Sequence, residues 1–294
     1  MKRIYLFVIL NILTSVLLAS SKKVLLIGID GCRPDVLKIA NTPNIDQLIN
    51  KGIFFDNTLS SVNNQPTRSG PGWTSLLTGV WYDKHTVKDN FFKNVDNSKI
   101  VTFDELLTKS SLNIKTSVLT MWNPIITKIF DKELFFTSHI EPYDGSIAIE
   151  SKKHIINTES DIIFVHIDNA DLAGHLYGYS LDGKRYINAI EEVDSYVGEL
   201  KKATELRKNY NDEEWLIIIS SDHGGRKKFL LGGTHGGQTE QERIIPIILY
   251  ARNIRKKSDV KETYIVDIVP TILSFYDSKL VNKFNLDGKV LIEF

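Results

Sequence analysis

The chain predicts an α/β fold with a mostly parallel central sheet and helices on both faces. Three observations carry this. The strand candidates "VLLIGID", "IIFVHID" and "LIIISSD" are continuously apolar rather than alternating, as strands covered on both faces are. They alternate with segments of helical periodicity. No repeat, low-complexity tract or long linker breaks residues 22–294, which read as one domain. The 294 residues are 42% hydrophobic and 24% charged, enough to bury a large core. Lys+Arg and Asp+Glu stand at 36 each, and zero net charge excludes a nucleic-acid coat.

Residues 1–21 read as a leader: "MKR" is a basic n-region, "IYLFVILNILTSVLLA" an apolar core, and "ASS" a small-residue cleavage site. Export with cleavage is expected. A retained leader would be a membrane anchor, and without it no stable membrane association is expected. Cys32 is the single cysteine, so no internal disulfide forms. Beside "GIDG" it reads as a small buried hydrophobe.

The mature part opens with the strand "KKVLLIGIDG". "TPNIDQLINKG" follows as a helix with Thr42 as N-cap, Pro43 in the first turn and Gly52 closing it. "IFFDNTLS" is a strand, and "GPGWTSLLTG" a short helix closed by Gly79. "TFDELLTKS" predicts a helix with a capping box from Thr102 to Glu105. "KTSVLTMW" and "DIIFVHID" are strands around the helix "GSIAIESKKHIINTE". A long helix spans about 183–210. "EEWLIIISSD" and "RIIPIILYA" are the last strong strands, and "YIVDIVPTILSFYD" is a helix with Pro270 in its first turn or at a kink.

Ligands of such sheets gather at the carboxyl ends of the strands. Three apolar strands end there on acids: Asp30, Asp222, and Asp168 with Asp171 just beyond. A strand-end aspartate often only caps the next helix, but these have partners. In "DLAGH", Asp171 and His175 are four apart and share one helical face. His223 is adjacent to Asp222, and "GGTHGG" presents His235 in a glycine-rich loop. Carboxylates and imidazoles without thiolates suit zinc or a similar divalent cation. Asp168 competes with Asp171 for this role, and the phase with His175 favours Asp171. His85, His139, His154 and His166 lack a partner at ligand spacing and read as core or surface histidines. In "PTRSGPGWTSLLTG", Ser69 stands where a helix begins and backbone N–H groups meet an anion, a nucleophile candidate once cations lower its pKa.

Together "GIDG", "SGPGWTSLLTG", "DLAGH", "SDHGG", "THGG" and "ERIIPIILY" resemble the alkaline phosphatase superfamily, and within it the type I phosphodiesterase/nucleotide pyrophosphatase branch. The resemblance covers nearly all of residues 22–294. It implies two divalent cations, zinc first: one held by Asp171, His175 and His235, the other by Asp30, Asp222 and His223 with the Ser69 oxygen. It implies that Asn90 and the amide after Ser69 bind phosphoryl oxygens. The implied activity is hydrolysis of a small-molecule phosphate ester, a phosphodiester first, through a covalent phosphoserine. Phosphomonoesterase, sulfatase or phosphonate hydrolase, and a non-catalytic metal-dependent anion binder are the alternatives. Two departures stand out. The phosphodiesterase branch usually has threonine where Ser69 stands, and only the short "GRKKFLLGGT" separates His223 from His235, so a substrate cap is missing. "CRPDV" at Cys32 lacks the serine and arginine of a sulfatase motif. "VLTMWNP" offers Met121 and Trp122 where some monoesterases carry cations.

Overall fold

The computed structural model describes residues 21–130, 135–141 and 143–294. The leader expectation falls outside them, except for Ser21, the first residue of β1. The strands are β1 (Ser21–Ile29), β2 (Ile53–Leu59), β3 (Thr116–Thr120), β4 (Phe135–Ile140), β5 (Ile162–Ile167), β6 (Glu213–Ser220), β7 (Arg226–Lys227), β8 (Gly233–Thr234), β9 (Ile244–Tyr250), β10 (Arg255–Lys256), β11 (Thr263–Tyr264) and β12 (Ile292–Glu293). Eight form one sheet in the order β11-β2-β9-β6-β1-β5-β3-β4, and two-stranded ribbons pair β7 with β8 and β10 with β12. Within the large sheet β9 alone runs against the others, so the sheet is mostly parallel, as expected.

The continuous apolarity has a direct cause. In β1, Val24 and Leu26 join one core while Leu25, Ile27 and Ile29 join another on the opposite face. β5 and β6 divide in the same way. The first core is closed by helices Ser69–Thr78, Phe103–Lys109 and Ile268–Tyr276, the second by Pro43–Lys51, Asp144–Asn157 and Lys184–Glu205. A strand buried on both sides has little room for polar residues before its last residues, where His166 and Ser220 stand.

Register then places the ends. Gly28 of β1 is level with His166 of β5 and Ser220 of β6. Two residues further on, Asp30, Asp168 and Asp222 emerge side by side from adjacent strands.

Most helix limits agree with the sequence. Gly79 closes its helix in the left-handed conformation (φ 72°), and Pro270 lies in the first turn of Ile268–Tyr276. Three details differ. The Thr102–Glu105 capping box does not form, because the Thr102 hydroxyl donates to Asp104 Oδ1 (2.5 Å). Thr42 precedes its helix without a side-chain cap; Asp194, on the long helix, instead accepts from the amides of Ile45 (2.7 Å) and Asn44 (3.3 Å). The long helix ends at Glu205, and Tyr210 begins a separate 3-10 turn. β4 went unforeseen, as an edge strand carrying little of the apolar signal of its neighbours.

Candidate metal centre

Asp30 is buried at the end of β1. Its Oδ2 accepts from Trp73 Nε1 (3.1 Å) and His166 Nε2 (3.2 Å), which leaves Oδ1 buried with no hydrogen-bond partner. Asp222 is oriented the same way: Oδ1 accepts from the Gly31 amide (3.3 Å), and Oδ2 is buried without a partner. His223 Nε2 lies 3.5 Å from Asp30 Oδ1 and 3.3 Å from Asp222 Oδ2. Its Nδ1 is 2.7 Å from the Gly224 carbonyl, which can only accept, so the proton sits on Nδ1 and Nε2 offers a lone pair. Two carboxylate oxygens and one imidazole nitrogen therefore converge with no donor among them. Burying unpaired oxygens this way is costly unless a cation joins them.

The second group lies beside the first. Asp171 Oδ2 is 3.2 Å from His175 Nε2, and Oδ1 is 3.8 Å from His235 Nε2. The two imidazole Nε2 atoms are 3.0 Å apart. His235 Nδ1 donates to the Thr67 carbonyl (2.8 Å), so its lone pair also points inward. The His223 and His235 rings stack with centroids 3.8 Å apart, joining the two groups into one centre.

The electrostatics follow from burial and crowding. Burial and then the charges of Asp222 and Asp171 push the Asp30 carboxyl well above its usual range. Burial and then Asp171 raise Asp222 to about 7. Burial lowers His223, and burial with the nearby His223 lowers His235 to about 4, so both imidazoles are neutral donors at neutral pH. At Asp171 burial opposes ionisation, but the His175 hydrogen bond and the surrounding imidazoles outweigh it and hold the carboxyl below its ordinary range. His175, bonded to Asp171, is shifted upward.

Ser69 is the first residue of its helix, buried, with Oγ 3.4 Å from His223 Nε2. Gly72 lets that helix press on Asp222: a methyl on its Cα would lie 2.6 Å from the Asp222 carbonyl oxygen. Asn90 Oδ1 accepts from the Gly70 amide (2.8 Å). Asn90 thus stands beside the nucleophile candidate as expected, but its carbonyl and the amide after Ser69 are bonded to each other. Only the Asn90 NH2 group is left as a donor.

The six expected ligands Asp30, Asp171, His175, Asp222, His223 and His235 come together here, with Ser69 against His223 and Asn90 against the amide after Ser69. Asp171 contacts both His175 and His235, while Asp168 groups with Asp30 and His166. Burial and then the Asp171 charge raise Asp168 to about 7. His85 and His154 are held by serines in the core, away from the centre. His166 is different. It is buried as a core histidine, yet it donates to Asp30, a role its position inside a strand did not signal. Trp73 and Tyr179 were also missed. Tyr179 donates to Asp171 Oδ1 (2.5 Å), and its ring is walled by Gly174, Gly225 and Gly233, where any side chain would collide with it. The glycine-rich motifs "AGH", "HGG" and "LGGT" thus also make room for one aromatic ring. The second glycine of each "GG" pair was the only available sign.

A family model described as type I phosphodiesterase / nucleotide pyrophosphatase matches residues 24–109 and 108–227. The chain belongs to this family. His235 lies beyond the matched residues. Among curated phosphodiesterase relatives, the bis(5'-adenosyl)-triphosphatase of Homo sapiens is 24% identical over 225 residues, 69% of this chain and 47% of that protein. An uncharacterized pyrophosphatase/phosphodiesterase of Schizosaccharomyces pombe is 23% identical over 68% of this chain and 44% of its own length. The chain spans about half the length of the curated relatives it matches. Among solved structures, the murine ectonucleotide pyrophosphatase/phosphodiesterase 5, an inactive variant in complex with AMP, superposes with TM-score 0.67 at 17% identity, over 92% of this chain and 100% of that one. The fold is shared more widely: a 2-O glycosaminoglycan sulfatase superposes with TM-score 0.63 at 13% identity, over 87% of this chain and 70% of that one.

The phosphodiesterase family assignment agrees with the donor set. Among the described residues, three groups of acids and imidazoles could hold a metal ion: Asp30, Asp222 and His223; Asp171, His223 and His235; and Asp30, His166 and Asp168. The first is one predicted ligand set. The second shares Asp171 and His235 with the other, and His175 stands 3.0 Å from His235. The two orphaned oxygens, Asp30 Oδ1 and Asp222 Oδ2, are what a divalent cation would satisfy.

Proposed function

We propose that this chain is an exported hydrolase of small phosphodiesters, working with two divalent cations, zinc first, and through a covalent phosphate on Ser69. The observation that carries this reading is the convergence of His223 Nε2 and two carboxylate oxygens without a hydrogen-bond partner, Asp30 Oδ1 and Asp222 Oδ2, beside a buried serine hydroxyl. Asp30, Asp222 and His223 would hold one cation together with Ser69 Oγ; Asp171, His175 and His235 would hold the other. When bound, such a pair supplies Lewis-acid stabilisation of charge on the entering and leaving oxygens.

The protein's own residues then divide the work. Ser69 Oγ attacks phosphorus, the leaving alcohol departs from the opposite side, and water cleaves the serine ester. Asn90 is placed to donate its NH2 to a phosphoryl oxygen, a contribution of about 3 kcal/mol where such donors have been removed. Trp73, His166 and Tyr179 keep the carboxylates aimed. The imidazoles must be unprotonated, so activity should be neutral to alkaline.

A diester is favoured over a monoester by the surroundings. Phe92, two residues after Asn90, packs against Trp122 (6.2 Å between centroids), an apolar wall for a second substituent. Of the four cations that could meet a dianion, Lys84, Lys88, Arg226 and Lys227, two are already paired: Lys84 with Asp287 (2.5 Å) and Arg226 with Glu242 (3.6 Å). Cys32 is buried with its thiol raised to about 12, which suits a packing role and not a sulfatase nucleophile. Export rests on the leader motif and on the "ecto" in the names of relatives.

Turnover of bis-p-nitrophenyl phosphate and the mono ester tests the reading. The diester should turn over faster, and Ser69→Ala should lose on the order of a thousandfold or more of that activity. A Ser69→Ala protein at the wild-type rate would exclude the serine. Bound metal with no hydrolysis of any ester would favour the anion binder.

A further inference from the structure

The hairpin between the two halves of the centre ends in three consecutive large apolar residues. Phe229, Leu230 and Leu231 are 101%, 83% and 86% exposed. The turn is formed, closed by the Lys228 amide donating to the Gly232 carbonyl (2.9 Å), so the three side chains project from a built loop. Its base is pinned: Gly232, at φ 68°, lies so close to the His175 carbonyl that a methyl on its Cα would sit 2.3 Å away. The tip therefore stands on the helix Asn169–Tyr177, which itself leaves Leu172, Leu176 and Tyr177 half exposed around His175. Exposed apolar side chains on both elements thus stand near His175.

Charge says what covers it. The stem is Arg226, Lys227 and Lys228, and residues 224–238 contain no acid. Arg185 lies over the Tyr177 ring at 4.6 Å. Glu242 lies near Arg226, and the Asp182 carboxyl is held low by the Ser180 hydroxyl first and by Lys227 after it. The surface is thus apolar at its summit and cationic around it. A second copy in a symmetric dimer would bring the cationic stems together. A bilayer of anionic lipids matches both features, because the apolar tip enters the interface and the cations meet headgroups. The zero net charge of the whole chain averages over this local asymmetry.

We infer that residues 229–231 and their basic stem dock this protein onto anionic lipid bilayers, with the metal centre at the membrane surface. The inference rests on the surface alone and stands whether or not the centre hydrolyses phosphodiesters. Because Cys32 is buried, a thiol-reactive polarity probe placed through Leu230→Cys on the full chain reports the tip selectively. Ser278→Cys, just beyond Tyr276, whose carbonyl accepts from Lys22 at the amino end of β1, reports the opposite end. With phosphatidylcholine vesicles containing phosphatidylglycerol, the 230 label should shift to the blue and the 278 label should not. Lys227→Gln with Lys228→Gln should weaken vesicle partitioning about 25-fold, at about fivefold per basic residue. Phe229→Ser with Leu231→Ser should weaken it by at least about a hundredfold. The Phe229→Ser, Leu231→Ser variant should hydrolyse soluble bis-p-nitrophenyl phosphate as the parent does. No shift at 230 with vesicles overturns the inference. So does a shift at 278 alone, which would mean anchoring through the leader, or a shift at 230 that tracks protein concentration without vesicles, which would mean that a second copy covers the tip.

Discussion

At the amino end of β6, Glu213 is clamped by Arg207 through Nε and Nη2 at 2.8–3.0 Å, with Trp215 Nε1 adding a third donor at 3.0 Å. Arg207 also donates to the Thr158 carbonyl (3.0 Å), and nearby Lys23 pairs with Asp161 (2.8 Å). At the carboxyl end of the same strand, Asp222 has one oxygen without a hydrogen-bond partner, and the imidazole 3.3 Å from it is kept neutral by burial. One end of the sheet buries charge with its counter-charge supplied by the chain. The other buries acids with no cationic side chain among the partners that hold them. A buried charge is tolerated only when paired and hydrogen-bonded, so the unpaired end is the one whose donor set suits added cations.

The largest effect that would sharpen this contrast is Asp222→Asn. Activity should fall by about a thousandfold or more, at least about 4 kcal/mol in barrier, because a charged ligand is lost where the reaction needs it. Stability of the metal-free protein should be unchanged or higher, since a carboxyl already raised to about 7 has been neutralised. A large loss of metal-free stability, read from urea midpoints, would mean that Asp222 is structural.

Arg207→Met should do the reverse. It strands Glu213 in the interior and should cost about 3 kcal/mol of stability, while turnover per folded molecule stays at the parent value. A drop in turnover with stability intact would break the division between the two ends.

The smallest effect concerns a buried imidazole that is fully partnered. Val87 donates its amide to His85 Nδ1 (3.1 Å), and Nε2 lies 3.0 Å from Ser75 Oγ. Burial holds the His85 pKa down to about 3, against an ordinary 6.5. The unfolded chain therefore takes up the proton first, and stability present above pH 6.5 is lost as pH falls from 6.5 toward 3. Between pH 7 and pH 5 that loss is about 2 kcal/mol. His85→Gln should remove this increment of pH dependence, read as the difference in urea midpoints at the two values.

How much of this was legible follows from distance along the chain. Asp30, Asp168 and Asp222 could be picked out because each closes a predominantly apolar strand, and Asp171 with His175 because one helical turn brings them together. The glycine loops around Ser69 and His235 were equally local. What aims these groups was not. Trp73 reaches Asp30 from a helix 43 residues later, His166 from the neighbouring strand 136 residues later. Both look like core residues because, by burial, they are. The Thr102 and Thr42 caps failed for a related reason: a nearby Asp104 and a distant Asp194 competed for the same groups.

The sequence by itself determined that there is a two-faced parallel sheet and which chemical groups crowd its carboxyl edge, since apolar runs and their endings are properties of a few consecutive residues. Only the tertiary structure decided which oxygen of each carboxylate is satisfied and which is left bare, that the Gly70 amide and Asn90 meet each other, and that Phe229, Leu230 and Leu231 cover nothing. Those outcomes depend on strand register and helix docking, which are settled by contacts summed over the whole fold.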